Sequence, residues 1–203
     1  MASEPSVAER AYSEIKRKTL AGEYRLHQRL DVTALAEELG TSTTPVREAL
    51  VRLHAERLIA FKRSRGFFVS LWSEAELKAL YEWRAMLLAL TLEAGRGAQA
   101  TIDSELYFPA RVARFFQAVE ARGNIEVRRA AINADERLHF ARLAEHELFP
   151  SAEQELEKLA VSLTTAPKNK ALSAFNAYHK RRVSTVRRLR ERAVVAALGR
   201  NGD

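Results

Sequence analysis

The sequence predicts a mainly α-helical chain in two parts: a small N-terminal unit of three helices and a short β-hairpin, then an all-helical bundle. Three observations carry this. Apolar residues recur at helical spacing on both sides of two short β-like runs near residues 58–69. The character changes after residue 72, and no β-pattern follows residue 70. Gly123, Pro150 and Pro167 then divide the remainder into helical stretches.

The first helix is predicted from Val7 to Ala21, with Val7, Ala11, Ile15 and Leu20 on its apolar side and Gly22 as its stop. A second fits Asp31 to Leu39, with Asp31 as N-cap and Gly40 at its C-terminal end. After a short turn a third begins, for which Thr44 is the expected cap, Pro45 the first helical residue and Glu48 a first-turn acid. Leu50, Leu53 and Leu58 continue its stripe. The hairpin is expected from Leu58-Ile59-Ala60-Phe61 and Phe67-Phe68-Val69, joined by the basic turn Lys62-Arg63-Ser64-Arg65-Gly66.

In the second part, Ser73 and Glu76 form a capping box that opens a long helix through Leu77, Leu80, Trp83, Leu87 and Leu90 to near Gly95. Further helices are expected at about 104–121, 124–146, 152–165 and 171–198, and Ser151 with Gln154 gives a second capping signal. The domains expected are therefore residues 8–70 and 73–200.

Composition bounds the function. Lys and Arg number 33 against 26 Asp and Glu, for a formal charge of +7. Such a chain attracts polyanions, nucleic acid being the commonest. There is no cysteine, which excludes disulfides, thiolate zinc sites and cysteine nucleophiles. No apolar run approaches the ~20 residues of a membrane span. The polar start, Met1 to Arg10, lacks the apolar core of a signal peptide, so a cytoplasmic location and no membrane partner are expected.

Helix, turn, helix and basic hairpin, in that order, make a winged helix-turn-helix. In that geometry the third helix enters the major groove of double-stranded DNA with its N-terminal residues at the base edges. Thr41, Ser42, Thr43 and Thr44 offer hydroxyl and backbone N–H groups to phosphates, with Pro45 among them. Arg47 follows, where a guanidinium can fork onto guanine. Lys62, Arg63 and Arg65 on the wing can reach phosphate or the minor groove. Each element has a bland alternative, a common Ser/Thr cap or a solvated charged hairpin; their order together favours DNA.

The stretch Leu35-Ala36-Glu37-Glu38-Leu39-Gly40-Thr41-Ser42-Thr43-Thr44-Pro45-Val46-Arg47-Glu48-Ala49-Leu50 resembles the helix-turn-helix signature of the GntR family of regulators. Arg52 to Ile59 and the wing ending Arg65-Gly66-Phe67-Phe68-Val69 extend the resemblance over about residues 8–70. It implies DNA-contacting roles for the turn, for Arg47 and for the wing including Gly66. Two positions depart from it: Thr43 stands where the family usually has arginine, and Thr33 where some FadR-like members have one. Leu26-His27 replaces a usual Pro-Gly, which implies a different loop shape.

Asp135 and His139 are four apart, on one face of a continuous helix, and His179 lies on the last long helix. Asp with two His suits a divalent transition metal such as Zn, Ni, Mn or Fe; an exposed helix pair is the alternative. Asn133 to Ala144 resembles the Asp-x-x-x-His helix of the FCD effector domain that marks the FadR-like branch of the family. Tyr178-His179 and Leu80-Tyr81-Glu82-Trp83-Arg84 resemble two other FCD segments. The resemblance implies a metal held by Asp135, His139, His179 and, where a further His is usual, Asn201, beside a pocket for a carboxylate effector. Leu88 stands where an acid is usual, which makes the pocket more apolar. Tyr81 and Arg84 then become effector-binding candidates, Arg84 by forking a carboxylate, with an ion pair to Glu82 or another acid as its alternative role.

The remaining histidines, His27, His54 and His146, read as loop, packing and surface residues. The arginine-dense run from Lys180 to Arg192 reads as a solvated or dimer face, with a second DNA contact as a lesser option. The expected function is an operator-binding transcription regulator, in the direction of repression, modulated by a small organic acid. Palindromic operators imply a homodimer. The alternatives are a metal-free regulator whose helical half serves only assembly, and an enzyme with Asp135, His139 and His179 as an iron-binding facial triad.

Overall fold

The structure, a computed structural model, describes residues 4–25, 27–69, 71–93, 102–121 and 123–199, without the side chains of 196–199. The chain divides into two compact units, Met1–Leu71 together with Ala197–Asp203, and Trp72–Ala196.

The first unit runs α1 (Val7–Ala21), β1 (Arg29–Leu30), α2 (Val32–Glu38), α3 (Thr43–Ala55), β2 (Ala60–Lys62) and β3 (Gly66–Phe68). Ser6 Oγ accepts the Glu9 N–H at the start of α1, and Gly22, left-handed at φ 72°, closes its end. Asp31 caps α2 as the sequence predicts, its side chain accepting the N–H groups of Thr33 and Ala34. Ile15 of α1, Leu35 of α2, Leu50 and Leu53 of α3 and Phe67 of the sheet fill one core. A polar clasp ties α1 to α3 beside it. The Tyr12 hydroxyl donates to Glu56 at 2.8 Å, and the Arg52 guanidinium lies 3.6 Å over the Tyr12 ring while bonding Glu9 at 2.9 Å.

Two details differ from the sequence reading. The cap of α3 is Ser42, not Thr44, so Pro45 is the third helical residue and Glu48 falls in the second turn. The turn between α2 and α3 is short, as expected, and in it the Thr41 N–H bonds back to the Ala36 carbonyl at 2.9 Å. The hairpin also gains a third strand: the antiparallel order is β1-β3-β2, with Leu30 opposite Phe67 and Phe61 opposite Phe67 on the other side.

The second unit is all helical among the described residues: α4 (Glu74–Glu93), α5 (Phe108–Val119), α6 (Ile125–Arg137), α7 (His139–Leu148), α8 (Ala152–Thr165), α9 (Lys168–Ser184) and α10 (Val186–Gly199). The capping box at α4 forms as expected: Ser73 N–H donates to Glu76 Oε2 at 2.8 Å, and Glu76 N–H donates to Ser73 Oγ at 3.2 Å. The expected box at Ser151 does not form; its side chain makes no cap hydrogen bond. Trp83 and Leu90, expected in the buried stripe, are about half exposed, and the buried face of α4 carries Tyr81, Arg84 and Leu88 instead. Two long helices are each broken. The expected helix 124–146 divides at Leu138, and the expected helix 171–198 at Thr185, whose hydroxyl donates to the Arg181 carbonyl at 2.7 Å and competes with the helical bond there. Among the described residues no helix is long and apolar enough to cross a membrane.

Candidate functional site

The start of α3 is built to face outward. Val46, Ala49, Leu50 and Leu53 turn into the core and hold the helix down. The opposite face presents Thr44, Arg47, Glu48 and Val51, all exposed. Ser42 makes no side-chain cap bond, so its hydroxyl is not spent on the helix it begins. The first-turn N–H groups of Thr43 and Thr44 lie in the part of a helix where such groups have no intrahelical partner. Thr41 is half-buried, while Ser42 and Thr43 are exposed. Thr33 is exposed on α2, its N–H donating to Asp31.

The wing tip is Arg63-Ser64-Arg65 between β2 and β3, closed by the Arg65 N–H to the Lys62 carbonyl at 2.9 Å. Gly66 follows at φ 83°, a left-handed conformation that admits glycine without strain. Lys62 and Arg65 both lie 5.7 Å from the Phe68 ring centre. Arg47, Lys62, Arg63 and Arg65 are exposed and form no ion pair among the described residues, whereas Arg17, Lys18 and Arg52 of the same unit are each tied to carboxylates. A surface that leaves these cations and hydroxyls unspent is chemically suited to a polyanion.

Two residues of this surface were missed in the sequence. Val51, 54% exposed, stands one turn after Arg47 on the outer face of α3, where an apolar group can meet a thymine methyl. Its spacing from Arg47 was the available signal. Arg29 is exposed on β1, beside Gly66 across the sheet.

The interior of the helical unit departs further from expectation. Arg84, fully buried, donates from Nε to Asp135 at 2.8 Å and from Nη1 to Glu120 at 2.7 Å, and Nη2 contacts both acids. Of its two roles the structure shows the ion pair, with Asp135 and Glu120 as partners and not Glu82. Arg142 reaches back across the break between α6 and α7 to the same Asp135 carboxylate. Tyr81 is also committed, its hydroxyl donating to Glu145 at 2.6 Å. Arg182 completes the cluster, bonding Glu145 at 2.9 Å and Glu155 at 2.7 Å and stacking 3.4 Å over the Tyr178 ring. The arginine-dense run is thus not wholly a solvated face, since Arg182 is buried.

These contacts decide whether the residues fit a metal. The Asp135 carboxylate faces two guanidinium groups, and a divalent cation there would sit beside both positive charges. His139 stands at the first position of α7, beyond the helix break, with its Nε2 3.3 Å from the Tyr107 hydroxyl. His179 packs 4.3 Å from the Phe175 ring and places Nδ1 3.3 Å from the Phe175 carbonyl. Among the described residues no three His, Asp or Glu are grouped to hold a metal ion, and Asn201 lies outside those residues. As placed, the described members of the expected donor set, Asp135, His139 and His179, do not fit the ion, and a facial triad of the same three meets the same obstacle. The signal missed was the acid–arginine spacing: Arg142 and Glu145 fall beside Ala141 and Ala144 on the buried face of α7.

Residues 7–69 match the family described as bacterial regulatory proteins, gntR family. The first unit is similar to a gntR-family winged helix-turn-helix domain. The HTH-type transcriptional repressor GlaR of Escherichia coli (strain K12) is 31% identical over 88 residues, 41% of this chain and 40% of that protein. The Nta operon transcriptional regulator of Aminobacter aminovorans is 39% identical over 64 residues, 32% of this chain and 30% of that protein. The chain therefore aligns with less than half the length of either. Over the whole chain the fold is similar to solved structures. One from Rhodococcus sp. RHA1, described as a transcriptional regulator GntR, has a TM-score of 0.72 at 18% identity, covering 90% of this chain and 98% of that one. E. coli McbR/YncC has a TM-score of 0.63 at 19% identity with the same coverage.

Proposed function

We propose that the chain is a DNA-binding transcription regulator, whose gntR-family domain reads an operator and whose helical unit serves assembly and the sensing of a small organic acid. One observation carries the reading: the outer face of α3 and the wing set out Ser42, Thr43, Thr44, Arg47, Lys62, Arg63 and Arg65 exposed, with the four cations in no ion pair among the described residues. Arg47 and Val51 are the base-reading pair, and the wing cations supply sequence-independent affinity. Repression is the direction favoured, since one relative is named a repressor. An operator with two-fold symmetry calls for two copies of the chain. Effector binding would favour one arrangement of the two DNA-reading heads, and DNA would change effector affinity by the same factor.

The buried cluster favours a regulator that works without a metal at Asp135, because guanidinium groups already neutralise that carboxylate. Selection of duplexes from a random pool by the full chain tests the function. An enriched inverted repeat is expected. Binding that enriches no sequence and disappears with modest salt would overturn it.

A further inference from the structure

A cleft of about 580 Å³ opens between α8 and α9 in the helical unit. That volume suits a small molecule. Its floor is apolar because α9 presents the small side chains of Ala174 and Ala177 opposite Leu159 of α8, while Tyr178 and Arg181 of the same helix stand at its wall and rim. The charges on its rim are unequal. Lys158 is exposed and forms no ion pair among the described residues. Arg181, stacked 4.4 Å over the Phe149 ring, meets Glu155 through Nη1 alone, at 3.4 Å, which leaves further donors of its fork unspent. Glu155 is the single carboxylate of the lining, and its other oxygen is held by Arg182 at 2.7 Å. The rim thus has a surplus of one positive charge. Ser151, whose hydroxyl does not cap α8, adds a free donor. Tyr178 forms part of the wall, and its buried hydroxyl has no partner among the described residues.

We propose that this cleft binds a small organic monoanion, a carboxylate on an apolar body, with Lys158 and Arg181 holding the carboxylate and Leu159, Ala174 and Ala177 receiving the body. An apolar floor with a few convergent polar groups is the usual make-up of such sites. The site stands on its own geometry; only its regulatory meaning rests on the function proposed above. A route inward exists. Glu155 touches both Arg181 in the cleft and Arg182 in the core, Arg182 holds Glu145, and Glu145 accepts from Tyr81 of α4. A carboxylate drawing on Arg181 would change the charge felt by Glu155 and, through it, by the first helix of the unit.

Calorimetric titration of the full chain with hexanoate and with benzoate, against hexanol, benzyl alcohol and inorganic phosphate, tests the site. At least one acid should bind saturably, while the alcohols and phosphate should not. Lys158→Gln, at an exposed position, should weaken binding about tenfold, the effect of losing one charged hydrogen bond. Ala177→Trp should abolish binding by filling the trough from an exposed position, with the thermal melt confirming that the variant folds. Failure of both acids to bind, equal binding of the alcohols, or binding that survives Ala177→Trp would overturn the proposal. Titration of the same preparations with a selected duplex separates the two readings. Intact DNA binding without acid binding sinks the cleft alone, and acid binding without DNA binding sinks the regulator alone.

Discussion

Arg47 and Val51 share the outer face of α3, yet they would act on DNA by different physics. A forked guanidinium–guanine contact is worth about 1–3 kcal/mol of discrimination, so Arg47→Ala should lose that much between a selected and a scrambled duplex. Arg63→Ala should weaken both duplexes alike and lower the salt dependence. Equal losses on both duplexes for Arg47→Ala would place the base-reading residue elsewhere. Arg47 was legible because the turn before it and the helix after it are both written in local sequence. Arg142, Glu145 and Arg182 were not, since each alone reads as a surface charge and only packing of α4, α7 and α9 brings them together. His179 is a candidate ligand in the sequence, and its burial against Phe175 is visible only in the structure. Burial first, and then the charge of Arg84, hold its ring well below the ordinary histidine range; Arg182 and Arg142 push the same way and the Phe175 carbonyl opposes them. The folded ring therefore stays neutral where an unfolded one takes up a proton. Its contribution to stability is complete above about pH 6.5 and declines as the pH falls below that value. Glu120, pushed up by burial, works in the opposite sense nearer the carboxylate range. The melting temperature should thus drop from pH 7 to about pH 5.5, and His179→Phe should flatten that drop. An unchanged slope in the variant would assign it to another group.

The extent of α1 was legible in its periodic pattern, whereas a strand made by distant pairing and the breaks in two long helices were not. The span of α1 follows from its apolar spacing and from Gly22. By contrast β1 is two residues long and exists only because β3 supplies partners for Arg29 and Leu30, which no local pattern reports. The breaks at Leu138 and Thr185 escaped for a related reason: they carry no glycine or proline, and at Thr185 a side chain takes the backbone acceptor. The wing shows how one element depends on one backbone angle. Gly66 sits at φ 83°, where a β-branched side chain is strained whatever the free space. Gly66→Val should cost about 1–3 kcal/mol of stability, as residues forced into sparsely populated backbone regions do, and reduce affinity for all duplexes. Gly40→Ala makes a useful comparison: it is similarly left-handed at φ 61° but lies in the turn before α3, so its loss should fall on sequence discrimination as well. A Gly66→Val protein with wild-type affinity would remove the wing from the interface.

At the scale of the whole molecule, α4 poses the remaining question, because its exposed side carries large apolar residues beside the Lys78–Glu82 pair. Leu77, Leu80, Leu87 and Leu88 face the bundle, while Trp83, Met86 and Leu90 stand 46%, 59% and 53% exposed along the opposite side. A helix patterned this way is one covered on both faces. Large exposed apolar patches on soluble chains mark association surfaces. The function proposed above predicts a second copy of the chain on this stripe. An antiparallel two-fold packing of α4 on its counterpart, centred near residue 86, brings the Lys78 end of one helix beside the Glu93 end of the other, so the charges complement as the apolar residues interdigitate. The same symmetry is what an inverted-repeat operator demands. Sedimentation equilibrium should therefore report a dimer for the full chain. Met86→Glu with Leu90→Glu should shift it to monomer, since the carboxylate at position 86 would be desolvated against its symmetry mate and the one at position 90 would face the acidic position 82 of the other copy. The variant should keep its helical content, because both positions are exposed in the single chain. Affinity for an inverted repeat should fall much further than affinity for a half-site, since only the former profits from linked heads. A double variant that remains dimeric would move the interface away from α4, and a wild-type monomer would take the two-fold argument with it.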